Sequence, residues 1–191
     1  MNTLKKFQYN SPVILTYTML AFIAVTIGYL TNGAANALVF SIYRSSFTDP
    51  LFYVRLIGHV FGHADFEHFF NNFIIILLIG PMLEEKYGSK NLFFLMLITT
   101  VCTGILHVLI FKTALLGASG IVFFMILLAS YANFQRGRIP ITLILVIIIF
   151  LGREILSSIL ITDDIARITH VFGGVIGALS GYFYNDRKNI K

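Results

Sequence analysis

LLGASGIVFFMILLASYANF, residues 115–134, is the stretch on which the reading of this chain turns. It has about the length an α-helix needs to cross the hydrocarbon of a bilayer, and it carries no charge. Near its start, Ser119 sits in Gly117-Ala118-Ser119-Gly120, and 51 residues further on His170 opens another apolar run. A serine is a poor nucleophile until a neighbouring base accepts its proton, and histidine titrates near neutrality. The two residues at the mouths of two apolar helices therefore read as a candidate nucleophile and base.

Working outward, the whole chain shares this character. It is 57% hydrophobic and only 12% charged over 191 residues. Soluble domains carry roughly a quarter charged residues. The pattern predicts an all-α polytopic membrane protein with one domain over 1–191. Six runs approach spanning length: approximately 13–31, 66–83, 91–111, 115–134, 139–161 and 168–185. Polar breaks separate them, at Glu84-Glu85-Lys86, Lys112-Thr113, Gln135-Arg136-Gly137-Arg138 and Thr162-Asp163-Asp164. A long outer loop, 32–64, joins the first two runs. Its mixture of aromatic, apolar and polar residues suits the membrane interface.

Lysine and arginine set the expected direction. With the N-terminus inside, nine basic residues fall on the cytoplasmic side: Lys5, Lys6, Lys86, Lys90, Arg136, Arg138, Arg187, Lys188 and Lys191. Five fall elsewhere, namely Arg44, Arg55, Lys112, Arg153 and Arg167. The bias predicts both termini in the cytoplasm. It also explains the net charge of +5 without a nucleic-acid partner, because the basic residues are scattered between apolar runs. The first run is longer than the apolar region of a secretory signal, so it is expected to remain despite the cleavage-like Ala35-Asn36-Ala37. The single cysteine, Cys102, lies in an apolar run and offers neither an internal disulfide nor a metal-ligand spacing.

Topology then brings polar residues to one depth. The second, fourth and sixth runs all start from the outer face, and each begins with polar groups: His68 and Asn72, then Ser119, then His170. At 1.5 Å per residue these lie within roughly 10 Å of the outer helix ends. Polar groups in a bilayer face a bundle interior or a wet cavity. His170, Gly173, Gly177 and Gly181 share one helical face, and the small-xxx-small steps let two helices touch backbone to backbone. Packed against the fourth run, that face would hold His170 against Ser119. His68 and Asn72, four apart, both offer side-chain donors. With the Ser119 amide they could surround the oxyanion of a tetrahedral intermediate.

Together these motifs resemble the rhomboid family of intramembrane serine proteases. The matching pieces are His63-Ala-Asp-Phe-Glu-His68-Phe-Phe-Asn71-Asn72, Glu84-Glu-Lys-Tyr-Gly88-Ser89, Gly117-Ala-Ser119-Gly120 and His170-Val-Phe-Gly173-Gly-Val-Ile-Gly177. They extend over about residues 55–185. The resemblance implies a six-transmembrane-helix bundle with Ser119 as nucleophile and His170 as general base. It implies an oxyanion hole of His68, Asn72 and the Ser119 amide, and neither metal nor cofactor. Its substrates would be transmembrane helices of other membrane proteins, cut near the outer face. Arg55 matches a structural arginine of the first loop, and His59 and His63 match packing positions. Two positions depart from the family pattern. Phe123 stands where many members have a tyrosine stacked beneath the histidine, and Val54-Arg55 stands for Trp-Arg.

Other classes fit less well. The histidines form no His-Glu-x-x-His zinc motif. Asp49, Asp65, Asp163, Asp164 and Asp186 all fall in loops or at span ends, where an aspartyl protease needs them within spans. A transporter would spread polar residues through the full bilayer depth. The different-class alternative is a rhomboid-like chaperone or adaptor that binds helices without cutting them. Arg153 and Glu154, ionisable residues within the fifth run, read as snorkelling or paired groups outside the site. The small size and lack of a targeting extension suggest the plasma membrane of a bacterium.

Overall fold

One glycine face and two helix ends capped from distant residues organise the chain. The computed structural model describes residues 8–131, 138–149 and 164–188. Among them lie α1 (Pro12–Leu30), a π-helical turn (Asn36–Phe40), α2 (Pro50–Gly58), α3 (Phe66–Tyr87), α4 (Ser89–Ile110) and α5 (Ser119–Ser130). They are followed by α6, described over 141–149, and α7 (Asp164–Lys188). The described residues hold helices, turns and one isolated antiparallel bridge between Ile42 and Leu115.

Helices α1, α3 and α4, of 19, 22 and 22 residues, are long and apolar enough to cross a bilayer. The other three expected spans appear differently. The 115–134 run becomes a 12-residue helix that starts at Ser119 itself, because Gly117 turns the chain at φ 125°. The 139–161 run is helical over its described residues, 141–149; Arg153 and Glu154 lie outside the described residues. The 168–185 run sits inside the longer α7. The 32–64 loop is partly helical, with Asp49 capping α2 by accepting the Leu51 N–H at 3.0 Å and Pro50 at the first helical position.

Helix ends in a low-dielectric setting must have their orphan N–H and C=O groups satisfied. Glu84 of α3, fully buried, accepts the Val13 and Ile14 N–H groups at the start of α1, both at 3.0 Å. The carboxylate thus sits on the positive end of the α1 dipole. Arg44 donates to the Val108 and Leu109 carbonyls at the end of α4, at 2.9 and 2.7 Å. Asp65 caps α3 through the His68 N–H at 2.7 Å. Arg55, buried, ties the loop together through the Tyr43 hydroxyl, Ser45 Oγ and Asp49, so its role is structural as the resemblance implies.

Helix α5 is the centre of the bundle, packing on α3, α4 and most extensively on α7. Ile121, Phe124, Met125 and Leu128 are buried in one core with Ile14, Phe73, Ile76, Leu83 and Leu92 from the surrounding helices. At the far end, Lys86 Nζ donates to the Tyr131 carbonyl at 3.3 Å, and the Tyr87 and Tyr184 rings meet at 4.5 Å. The α7 glycines explain the close approach. A Cβ at Gly173 would strike the Gly120 carbonyl, one at Gly177 the Phe124 carbonyl, and one at Gly181 would lie 2.7 Å from Tyr131 Cβ.

Backbone atoms cannot yield as side chains do, so these glycines are testable. Gly177→Val is expected to cost about 1–3 kcal/mol by overpacking and to lower Tm in detergent by roughly 3–10 °C. Gly174→Ala, whose Cβ would meet only Leu127 side-chain atoms at 3.5 Å, should leave Tm nearly unchanged.

Candidate functional site

The site is assembled at the start of α5. Its first intrahelical bond joins the Val122 N–H to the Ala118 carbonyl at 2.9 Å, so the N–H groups of Ser119, Gly120 and Ile121 have no acceptor within the helix. They add to the positive end of the helix dipole beside a half-buried Ser119. At 12 residues, α5 covers only about 18 Å of the roughly 30 Å apolar layer. Its far end is held level with the end of α3 through Lys86 and Tyr87.

The loop before Ser119 hangs from the segment between α2 and α3. Ile42 and Leu115 exchange two backbone bonds of 2.9 Å, and the Gly117 N–H donates to the His59 carbonyl at 2.9 Å. The Ala118 N–H donates to His63 Nε2 at 3.3 Å. His63 can accept there because its Nδ1 lies 3.1 Å from the Phe61 carbonyl, which places the ring proton on Nδ1. The sequence reading treated His63 as packing; the structure makes it the anchor of the serine loop. A histidine-bonded backbone amide across 55 residues leaves no mark in local pattern.

His68 reaches the same loop. A Cβ on Gly117 would fall 2.9 Å from His68 Cε1 and 3.0 Å from Nε2, so only glycine leaves room for the ring there. The His68 ring also meets the His63 ring edge to face at 5.0 Å. Asn72, buried one turn on, directs one amide N–H to the His68 carbonyl at 3.1 Å, leaving its second N–H for another acceptor.

His170 comes from α7. Its ring stacks on Phe123 with centroids 4.4 Å apart and planes 9° from parallel. Phe123 and Ser119 are four residues apart, on one face of α5. The stack thus holds the imidazole on the helix face that carries the serine. Phe123 keeps the stacking role expected at this position, without a hydroxyl. The arrangement brings Ser119, His68 and His170 to one loop and one helix face. It can support proton transfer from a serine and hydrogen bonding to an adjacent anion. Among the described residues no group of three His, Cys, Asp or Glu side chains is set to hold a metal ion.

The sequence matches the rhomboid domain family over residues 51–187, well over half of its length. The chain belongs to the rhomboid family. A comparison with curated proteins finds no match. For a rhomboid, the loop histidines carry a clear electrostatic constraint. Burial, chiefly, pushes His59 down to about 4, and burial with the neighbouring His68 does the same to His63, to about 4. Both rings are neutral in the folded chain near neutral pH, as an acceptor for the Ala118 N–H requires.

The sign follows from those depressed values. In the unfolded chain these histidines bind protons below about 6.5, while in the folded chain they resist until about 4. Their stabilising contribution is complete above about pH 6.5 and is lost as pH falls towards 4, by up to ~3 kcal/mol for each ring. Tm in detergent is expected to fall across that window. His63→Gln, which keeps an acceptor but does not titrate, should flatten part of the slope.

Proposed function

We propose that this rhomboid is an intramembrane serine endopeptidase that cuts transmembrane helices of membrane-protein substrates near the outer face. The reading takes the chain as a six-span protein of the plasma membrane with both termini in the cytoplasm. The observation that carries the proposal is the Phe123–His170 stack, with His170 against the α5 face that begins at Ser119. The open N–H groups at the start of α5 and the His68 ring over Gly117 support it further.

In this mechanism Ser119 Oγ attacks the scissile carbonyl carbon while His170 takes the hydroxyl proton. The Ser119 N–H, His68 and the free N–H of Asn72 donate to the resulting oxyanion. Collapse breaks the C–N bond, and His170 returns the proton to the leaving amine. Water, with His170 again as base, then hydrolyses the acyl-enzyme. A substrate helix has its carbonyls hydrogen-bonded, so it must unwind before attack. Small or helix-breaking residues near the cut lower that cost, glycine by about 1 kcal/mol relative to alanine.

Cleavage of a reporter transmembrane segment by purified protein in detergent is the test. Ser119→Ala and His170→Ala should each abolish cleavage, and EDTA should leave it unchanged. Cleavage that survives Ser119→Ala refutes the dyad. A parent protein that cuts none of a panel of helices, yet retains them, points to the adaptor reading.

Phe123 supplies a graded prediction. An aromatic stack is worth about 0.5–1.5 kcal/mol beyond its area. Phe123→Leu should therefore slow cleavage by roughly 2- to 12-fold through a loosely held His170. Phe123→Tyr should retain the parental rate within about threefold, since it keeps the ring.

A further inference from the structure

On the side of the bundle away from α7, α1 and α4 diverge to leave a cavity of about 410 Å³. Leu20, Phe93, Met96, Leu97, Val60 and Ile121 are among the residues that line it. It opens to the surroundings of the protein, because Leu20 and Phe93 at its rim are about half exposed. For a multi-pass membrane protein those surroundings are lipid.

We propose that this cavity is a binding site for one acyl chain of an anionic phospholipid whose phosphate pairs with Lys90. The site differs from the Ser119 centre, and its binding does not depend on proteolysis. Two arguments favour this occupant. Water needs two to four polar partners. The hydroxyls on the walls are already engaged: Thr100 donates to the Met96 carbonyl at 2.9 Å, Thr16 pairs with Tyr9 at 2.8 Å, and Tyr17 donates to the Val60 carbonyl at 2.8 Å. A dry void would forfeit the dispersion contacts of its lining, so a flexible hydrocarbon chain is the occupant that fits.

Charge assigns the headgroup. Lys90, Phe93, Leu97 and Thr100 follow i, i+3, i+7, i+10 along α4, so they share a face. Lys90 is exposed one turn before the first α4 residue of the cavity. Pro12 and Val13, the first residues of α1, line the same end. A phosphate at that end meets an ammonium while its chain runs between the helices, as juxtamembrane lysines favour anionic lipid. The position also gives the lipid a structural role. Val60 and Phe61, which line the cavity, lie between His59 and His63, the two residues that hold the loop before Ser119.

Native mass spectrometry of the full chain, delipidated in detergent and titrated with dioleoyl phosphatidylglycerol or dioleoyl phosphatidylcholine, tests this directly. The parent protein should retain one phosphatidylglycerol, about fivefold more tightly than phosphatidylcholine. Lys90→Gln, at an exposed position, should erase that preference. Leu97→Trp, which fills the cavity, should reduce retention of both lipids at least fivefold while Tm and helical circular dichroism confirm folding. An unchanged preference in Lys90→Gln, or unchanged retention in folded Leu97→Trp, overturns the proposal.

Discussion

The direct contact of the α5 and α7 backbones is the constraint on which the rest of the molecule depends. Lipid chains are as apolar as leucine, so the hydrophobic effect does not drive two helices together inside a bilayer. Close packing does, and Gly173 and Gly177 let α7 lie on the carbonyls of Gly120 and Phe124. That approach brings the His170 ring into parallel stacking with Phe123. A bulkier residue at either glycine would push α7, and His170 with it, off the face of α5. The site is thus a consequence of helix packing, and its geometry is only as firm as that packing.

A second set of interactions fixes the serine side. The chain before short α5 is largely buried, so its backbone must find hydrogen-bond partners within the protein. Residues 115–118 find them on Ile42, His59 and His63. Those residues belong to a segment braced by Arg55 and by Arg44 on the end of α4. Asp49 takes part in the same brace: the Leu51 N–H, then Arg55, hold its carboxyl below the usual carboxylate range. The segment between α1 and α3 is therefore a scaffold for the loop before Ser119 rather than a tether. Val60 and Phe61 of the same segment line the cavity between α1 and α4.

Much of this was legible in the chain. Serine between glycines, histidine on a small-residue face and the His68–Asn72 pair mark their helices through local spacing, and local spacing survives any tertiary arrangement. Interactions between distant segments were not. Glu84 reads as part of a polar break, yet it caps α1 from about seventy residues away. His63 reads as packing and proves to be a hydrogen-bond acceptor for Ala118. The 115–134 run reads as a full span, because hydropathy does not register that Leu115 pairs with Ile42 and that the helix waits until Ser119.

The sequence by itself determined the class of protein, the apolar segments and the residue types able to act as nucleophile, base and oxyanion donors. Those properties reside in composition and in periods of three to seven residues, which any observer of the chain can count. Tertiary structure alone decided where the serine helix starts, which carboxylate caps which helix, and how closely parallel the Phe123 and His170 rings lie. The reason is physical: unsatisfied backbone groups and close helix contacts are resolved by whichever partner the fold brings near, and that partner has no fixed distance along the chain.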